Sequence, residues 1–217
     1  MRRGWPMPEK PLTFGNMVTS ATKMRPPWQD GHFVGGHPAL DLTNTVFDRN
    51  HPAENGELLK DPSDVLTWCA SAGLAETVPS LPEASASEFV TEVRAVREQA
   101  WAVFSAVAHG EAVPAAAFGA LLERAGAGVR LEQVKPAGTG PGRFTTERTA
   151  PEGIPATLSL LVIHAVFTLP HDRIRACGRC GWLFLDSSRG GRRRWCSMSI
   201  CGNREKARRH RQSRNQH

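Results

Sequence analysis

Apolar residues in the middle of the chain recur at intervals of three and four, the period of an α-helix with one buried face. The clearest run extends from Ala86 to His109, and Gly110 ends it. A shorter run with the same period predicts a helix from about Pro114 to Arg124, after which Gly126 and Gly128 lead into irregular chain. Two consecutive helices, each with one apolar face, are therefore expected here.

Two further helices are predicted upstream, each with a proline near its start, where the missing N–H group does no harm. Pro38 follows a Gly-Gly turn and opens one of them. In the other, Asp61 or Ser63 provides the N-cap and Gly73 the stop. The N-terminal part of the chain is thus mainly helical.

Downstream, the pattern becomes alternating. VRLEQVK and RFTTERT flank the loop PAGTGPG and predict a β-hairpin. The segment 154–169 is apolar almost all round, which predicts a helix inside the core. His164 within it is interpreted as a core residue, and Cys69 as a small buried hydrophobic residue. The fold class expected is α+β: a mainly helical N-terminal domain with a small β-hairpin, followed by a smaller C-terminal module.

Length and composition indicate a globular protein without a membrane span. The chain has 217 residues, 40% of them hydrophobic, which suffices for one domain with a core and a small module. No run of about 18 apolar residues is evident, so no membrane span is expected and a cytoplasmic location is predicted. Residues 1–28 hold five prolines and no apolar period, and we interpret them as a disordered leader. Met17 and Met24 are alternative starts.

Charge is unevenly distributed along the chain. From residue 173 to the end there are 13 Lys/Arg and two acids, 13 − 2 = +11, whereas the whole chain carries +6 and the remainder therefore −5. Such asymmetry favours a polyanionic partner, most often nucleic acid. A solvated basic tail is the alternative.

Four of the five cysteines lie within this basic segment, in the pattern C-x2-C-x15-C-x4-C: Cys177, Cys180, Cys196 and Cys201. Two close pairs at this separation are typical of a closed tetrahedral site for one structural Zn²⁺. Disulfides are disfavoured in a reducing cytoplasm, the spacing differs from the usual iron–sulfur patterns, and a redox dithiol would need only one pair.

The segments around the cysteines predict the layout of a treble-clef-like finger. The alternating run from Gly181 to Asp186 and a return from Arg192 to Trp195 predict a β-hairpin between the ligand pairs. Asn203 is expected to cap a helix from Arg204 to about Ser213. Metal binding can supply about 10–16 kcal/mol to fold so small a unit.

The cations on the predicted return and helix are the candidate nucleic-acid contacts: Arg192, Arg193, Arg194, Arg204, Lys206, Arg208, Arg209 and Arg211. Guanidinium groups bind phosphates, and a helix fits a major groove, so double-stranded DNA is favoured over RNA. An RNA-binding or protein-interaction module on a scaffold or sensor domain remains an alternative.

CGRCGWLFLDSSRGGRRRWCSMSICGNREKARRHR resembles the CGNR zinc finger, and GGHPALDLTNT with ELLKDPSDVLTWCASAGL resembles the ABATE domain that usually precedes it. The resemblance implies a bacterial stress-induced transcription regulator with an ABATE-like domain over 29–170 and a finger over 171–217. It places the metal ligands at the same four cysteines, and it names no effector. A homodimer is compatible with it, since many DNA readers are two-fold symmetric.

An enzyme is not expected, because no phosphate loop, nucleophile elbow or metalloprotease motif is present. His37, Asp41 and Asn44 are the polar residues that an active site of the N-terminal domain would use. We interpret these three side chains as capping and local hydrogen-bonding groups instead.

Overall fold

The computed structural model describes residues 28–52, 56–74, 85–136, 144–145 and 151–214. Within these ranges the chain forms six α-helices and two antiparallel pairs of strands. The helices are α1 (Pro38–Thr43), α2 (Pro62–Ser71), α3 (Ala86–His109), α4 (Ala115–Arg130), α5 (Ile154–Thr168) and α6 (Asn203–Arg214). The strands are β1 (Lys135–Pro136), β2 (Phe144–Thr145), β3 (Ile174–Ala176) and β4 (Leu183–Leu185). The predicted leader lies outside the described residues, except for Trp28.

Helix α3 is the centre of the core, and its bounds confirm the prediction from periodicity. It packs against α1, α2, α4, α5 and the β3–β4 hairpin. The apolar residues at its three-four spacing are buried: Phe89, Val93, Val96, Ala100 and Phe104. Gly110 follows in the left-handed region with φ 72°, which a glycine adopts without steric cost.

Side chains cap the two N-terminal helices. His37 Nδ1 accepts a hydrogen bond from the backbone N–H of Ala39 at 3.1 Å and caps α1. For α2 the cap is Asp61, not Ser63, and its carboxylate accepts from the N–H of Asp64 at 3.0 Å. The indole N–H of Trp28 donates to the carbonyl of Asp64 at 3.1 Å, which brings the start of the described chain into the core.

Helix α4 is longer than predicted, because it continues through Gly126 and Gly128 to Arg130. Glycine lowers helix propensity, but tertiary packing can override propensity. A Cβ atom on Gly128 would collide with the Cβ of Ala156, so the missing side chain lets α4 approach α5 closely. The glycine that suggested a helix end is thus a packing residue.

The predicted hairpin after α4 is present in shortened form. Lys135 pairs with Thr145 and Pro136 with Phe144 in an antiparallel ladder. The first residues of the predicted strand, up to Arg130, belong to α4 instead. The loop between the strands and residues 146–150 lie outside the described residues.

Helix α5 buries one face and leaves the other open, in contrast to the prediction of a fully buried helix. Leu158, Val162 and Ala165 are inaccessible, whereas His164 is exposed and Phe167 is 74% exposed. His164 is therefore a surface residue, not the predicted core residue. Among the described residues, Pro151–Thr168 alone is long and apolar enough to cross a membrane, and 56% of it is buried within the protein, as in a core helix.

The packing of α4 on α5 predicts opposite effects for one chemical change at two glycines. A Cβ at Gly119 would meet nothing within 4 Å. Gly119→Ala should therefore raise the free energy of unfolding by about 0.5–1 kcal/mol through helix propensity. Gly128→Ala should lower the free energy of unfolding by about 1–2 kcal/mol, because the cost of overpacking against Ala156 exceeds the gain in helix propensity. Denaturant unfolding of both variants tests this, and stabilisation by both would contradict the close approach.

Candidate metal centre and basic surface

The first cysteine pair lies at the tip of the β3–β4 hairpin. Ile174 pairs with Leu185 and Ala176 with Leu183, so the strands converge on the turn that carries Cys177 and Cys180. The N–H of Cys177 donates to the carbonyl of Trp182 at 2.8 Å, and the N–H of Gly181 donates to the carbonyl of Cys177 at 2.9 Å. Gly181 has φ 72°, so this turn requires a residue without a Cβ.

The hairpin predicted between the ligand pairs is wrong in its pairing. Its first strand exists as β4, but its partner is β3, which precedes the cysteine turn in the chain. The segment Arg192–Trp195 is not a strand, and it touches the cysteine turn through the N–H of Gly178, which donates to the carbonyl of Arg194 at 3.1 Å. Strand pairing depends on partners outside a short alternating run, which is why the run alone misplaced it.

The second cysteine pair is held by a wide helical turn. A π-helical segment, Met198–Gly202, carries Cys201 directly into α6. Ser197 is the N-cap of this segment, and its hydroxyl accepts from the N–H of Ile200 at 3.4 Å. Asn203 already has helical dihedral angles, so it is not the predicted cap. Helix α6 itself begins at Asn203, one residue before the predicted start, and the π-helical turn precedes it.

The four sulfur atoms have the separations of a tetrahedral thiolate site. Cys180 and Cys196 Sγ are 3.7 Å apart, Cys196 and Cys201 Sγ 3.6 Å, and Cys201 and Cys180 Sγ 3.6 Å. All four lie within 4.8 Å of one another and are buried. Zn–S bonds of about 2.3 Å in a tetrahedron imply S–S distances of about 3.8 Å, whereas a disulfide needs about 2.05 Å. The donor set therefore fits one structural zinc ion.

Electrostatics also favour a cation among these thiols. Hydrogen bonds from the thiols of Cys180 and Cys196 lower the pKa of Cys177, and the backbone N–H groups of the same two residues add to this effect. The same contacts raise the pKa of Cys180 and Cys196. One thiolate is thus accommodated by its neighbours, and the remaining three need a positive ion to ionise beside it.

The finger is docked on helices α1 to α5, here called the body, through buried hydrogen bonds. The side chain of Asn44 pairs with the backbone of β4: its Nδ2 donates to the carbonyl of Leu183 at 2.9 Å, and its Oδ1 accepts from the N–H of Leu183 at 2.8 Å. The indole N–H of Trp182 donates to the carbonyl of Val46 at 2.7 Å. Leu183 and Ile174 belong to the same core as α3.

Arg49 links the metal turn to α3. Its backbone N–H donates to the carbonyl of the ligand Cys180 at 2.8 Å. Its guanidinium donates to both carboxylate oxygens of Glu98, at 2.9 and 3.2 Å, and lies 4.8 Å from the ring centroid of Trp101. Arg49 thus bonds to the finger through its backbone and to α3 through its side chain.

The polar trio His37, Asp41 and Asn44 performs structural roles. His37 caps α1, and Asp41 Oδ1 accepts from the N–H of Gly35 at 2.7 Å. Burial raises the pKa of Asp41 to about 6, and the hydrogen bond from Gly35 opposes that rise. Asn44, in contrast, bonds to a strand 139 residues away. Sequence reasoning treated its contacts as local, because no spacing rule identifies so distant a partner.

The predicted nucleic-acid residues fall into two groups. Three of them use their guanidinium groups within the finger. Arg193 donates to the carbonyls of Trp195 and Cys196 and lies 4.6 Å from the Phe184 ring centroid. Arg208 and Arg209 both pair with Glu205, at 2.7 and 3.1 Å.

The other group is available to a partner. Within the part of the chain that the structure describes, four side chains are exposed and make no hydrogen bond or ion pair: Arg192, Arg204, Lys206 and Arg211. Arg194 is also exposed, and its guanidinium lies 5.3 Å from the ring centroid of Trp195. Hydrogen bonding by Arg208 lowers the pKa of Glu205 to about 2, so this acid stays ionised and neutralises part of α6 only.

Comparison with protein families agrees with this architecture. Residues 36–170 match the ABATE family, described as "Putative stress-induced transcription regulator". The chain belongs to the ABATE family. Residues 173–214 match the CGNR zinc finger, so the four-cysteine site is the metal site of that finger and takes one structural zinc. No curated protein matches the chain.

The sulfur geometry predicts one zinc ion per chain by elemental analysis. Cys196→Ser should abolish stoichiometric zinc, because the closed site loses a thiolate, whereas Cys69→Ala should retain it. After chelation in the wild type, four thiols should react quickly with a disulfide reagent. Cys69 should not, since burial raises its pKa to about 12. Five equally reactive thiols, or full zinc in Cys196→Ser, would contradict the assignment.

The contact between Asn44 and Leu183 predicts that the body stabilises the metal site. Asn44→Ala leaves a buried N–H and carbonyl of β4 unpaired and should cost about 2–4 kcal/mol of unfolding free energy. Zinc transfer to a chelator should accelerate in parallel. Asn50→Ala is the control, because its exposed amide bonds only to the carbonyl of Arg179. An unchanged transfer rate in Asn44→Ala would show that finger and body are independent.

Proposed function

We propose that this ABATE-family protein is a zinc-dependent transcription regulator that binds double-stranded DNA through α6 and the preceding Arg192–Arg194 segment. The observation that carries the proposal is the surface of α6. Among Asn203–Arg214 only Glu205 is buried, and the helix bears six Lys/Arg residues against that one acid. A helix without an apolar face gains nothing from a protein core, and its repelling charges favour a polyanion.

The way α6 is held supports a groove-binding role. Its first turn follows Cys201 directly, so the metal fixes the start of the helix while the remainder projects into solvent. A projecting, rigid helix of this kind is what a major groove accommodates. The finger carries 11 − 2 = +9 once four thiolates bind Zn²⁺, from the +11 of its side chains.

The aromatic residues of the finger argue for a duplex over single-stranded RNA. Single-strand readers offer exposed rings on which bases stack. Trp182 and Phe184 are 7% and 0% exposed and form the small core of the finger. Trp195 is half-buried and lies beside Arg194. Stacking surfaces are therefore scarce in the described part of the finger.

We further propose that the protein acts in the cytoplasm by binding and not by catalysis. The three polar residues that could have formed a site in the ABATE domain are engaged in capping and docking contacts. A homodimer and a small effector of the body remain predictions, as does bacterial origin. The docking of the finger on the body gives an effector a physical route to the DNA-binding helix.

Salt dependence and selection test the proposal. If about five phosphates are neutralised, duplex affinity should fall about 500-fold between 50 and 200 mM salt. The double variant Arg204→Gln, Arg211→Gln should reduce that fall to about 40-fold, because two phosphate contacts are lost. Arg130→Gln on the body, also exposed, is the matched control.

Selection of duplexes from a random pool, with zinc-loaded full-length protein, distinguishes a regulator from a general polyanion binder. Enrichment of a defined sequence is the expected result. A flat salt response would reject nucleic-acid binding. Equal affinity for heparin and every duplex would favour a non-specific or protein-interaction module.

A further inference from the structure

A depression of about 390 Å³ lies between the start of β3 and the turn that follows β4. Its polar lining consists of Arg173, Asp186, Ser187, Ser188 and Arg189. None of these residues ligates the metal or lies on α6. A volume of this size accommodates a small polar group.

The aspartate in the depression is held by the turn itself. Its Oδ1 accepts from the N–H of Ser188 at 2.9 Å, and its Oδ2 accepts from the N–H of Arg193 at 2.8 Å. Asp186 is only 1% exposed, so its carboxylate faces the turn and not the solvent. A hydrogen bond from the Ser188 side chain lowers its pKa to about 2. The buried carboxylate thus organises the turn, and amide dipoles balance its charge.

Two donors converge on one carbonyl of the turn. The N–H of Gly191 donates to the carbonyl of Ser188 at 3.1 Å and closes it, while Arg173 Nη1 donates to the same carbonyl at 3.1 Å. A Cβ on Gly191 would lie 2.9 Å from Arg173 Nη1, so the glycine lets the guanidinium pack against the turn. Among the described residues, the backbone N–H groups of Arg189 and Gly190 and the guanidinium of Arg189 have no acceptor. The Nε of Arg173 also lies 3.7 Å from a carboxylate oxygen of Asp172, in a solvent-exposed ion pair.

We propose that this depression is a phosphate-binding site, formed by the guanidinium groups of Arg173 and Arg189, the hydroxyl of Ser187 and the unpaired backbone N–H groups of Arg189 and Gly190. Arginine forks and successive backbone N–H groups are the donors that bind phosphate oxygens in proteins. The phosphate comes either from a nucleic-acid backbone or from a free phosphorylated small molecule. The first source, the backbone of a DNA duplex, rests on the proposed function.

Inorganic phosphate is the direct probe of the site. Added to the ¹⁵N-labelled, zinc-loaded full chain at constant ionic strength, it should produce saturable shifts of the Ser187–Gly191 amides. Arg189→Gln should weaken this binding about tenfold, as the loss of a charge-assisted hydrogen bond implies. Arg214→Gln removes one positive charge from the exposed surface of α6 and should leave the phosphate affinity of the depression unchanged. Zinc content shows that each variant keeps its finger.

Duplex titrations then identify the source of the phosphate. If Arg189→Gln lowers the logarithmic salt slope of duplex binding by about 0.9, the site takes a backbone phosphate. If Arg189→Gln leaves the salt slope of duplex binding unchanged, while the wild type binds inorganic phosphate at the site, the site takes a small phosphorylated ligand. Saturable phosphate shifts with no duplex binding at all would reject the proposed function and leave the site standing.

The proposal is overturned by either of two results. One is the absence of saturable amide shifts in the wild type. The other is an equal loss of phosphate affinity in Arg189→Gln and Arg214→Gln, because that would show a diffuse charge effect and no defined site.

Discussion

Four thiolates around one zinc ion are the constraint on which the C-terminal fifth of this protein depends. Among the described residues, the cluster of buried side chains around them contains only Trp182 and Phe184 besides the cysteines. That is too little apolar surface to order the 45 residues from 173 to 217, which carry +11. A metal ion changes that balance, because its binding free energy becomes folding free energy. The tip of the β3–β4 hairpin, the π-helical turn Met198–Gly202 and the first turn of α6 are then fixed relative to one another.

The same constraint reaches into the body. The strand that follows the first ligand pair is also the strand that Asn44 pairs with, and its Leu183 lies in the core of α3. Zinc, β4 and the helical body are therefore connected through direct packing and hydrogen bonds. In such an arrangement any event that loosens the segment from Gly35 to Arg49, which includes α1, acts on the metal turn through hydrogen bonds.

Sequence predicted what is local and missed what is distant. The cysteine spacing sufficed for the metal site, and the three-four period sufficed for α3, because both signals lie within a short stretch of chain. The end of α4 and the partner of β4 were missed, since each is decided by a contact with another element: Gly128 with Ala156, and β4 with β3. Asn44 was assigned a local bond for the same reason.

The arginines illustrate how far composition can mislead about function. In the sequence, Arg192, Arg193 and Arg194 are equivalent members of one basic run. In the structure the middle one turns inward, donates to two carbonyls beside the metal ligands and packs on Phe184, while its neighbours stay in solvent. The division follows from the acceptors within reach, because Arg193 donates to the carbonyls of Trp195 and Cys196 whereas Arg192 and Arg194 have no such acceptor among the described residues. Within this run only Arg192 and Arg194 supply cations to the outside, and the inward Arg193 packs on Phe184 and so extends the small core of the finger.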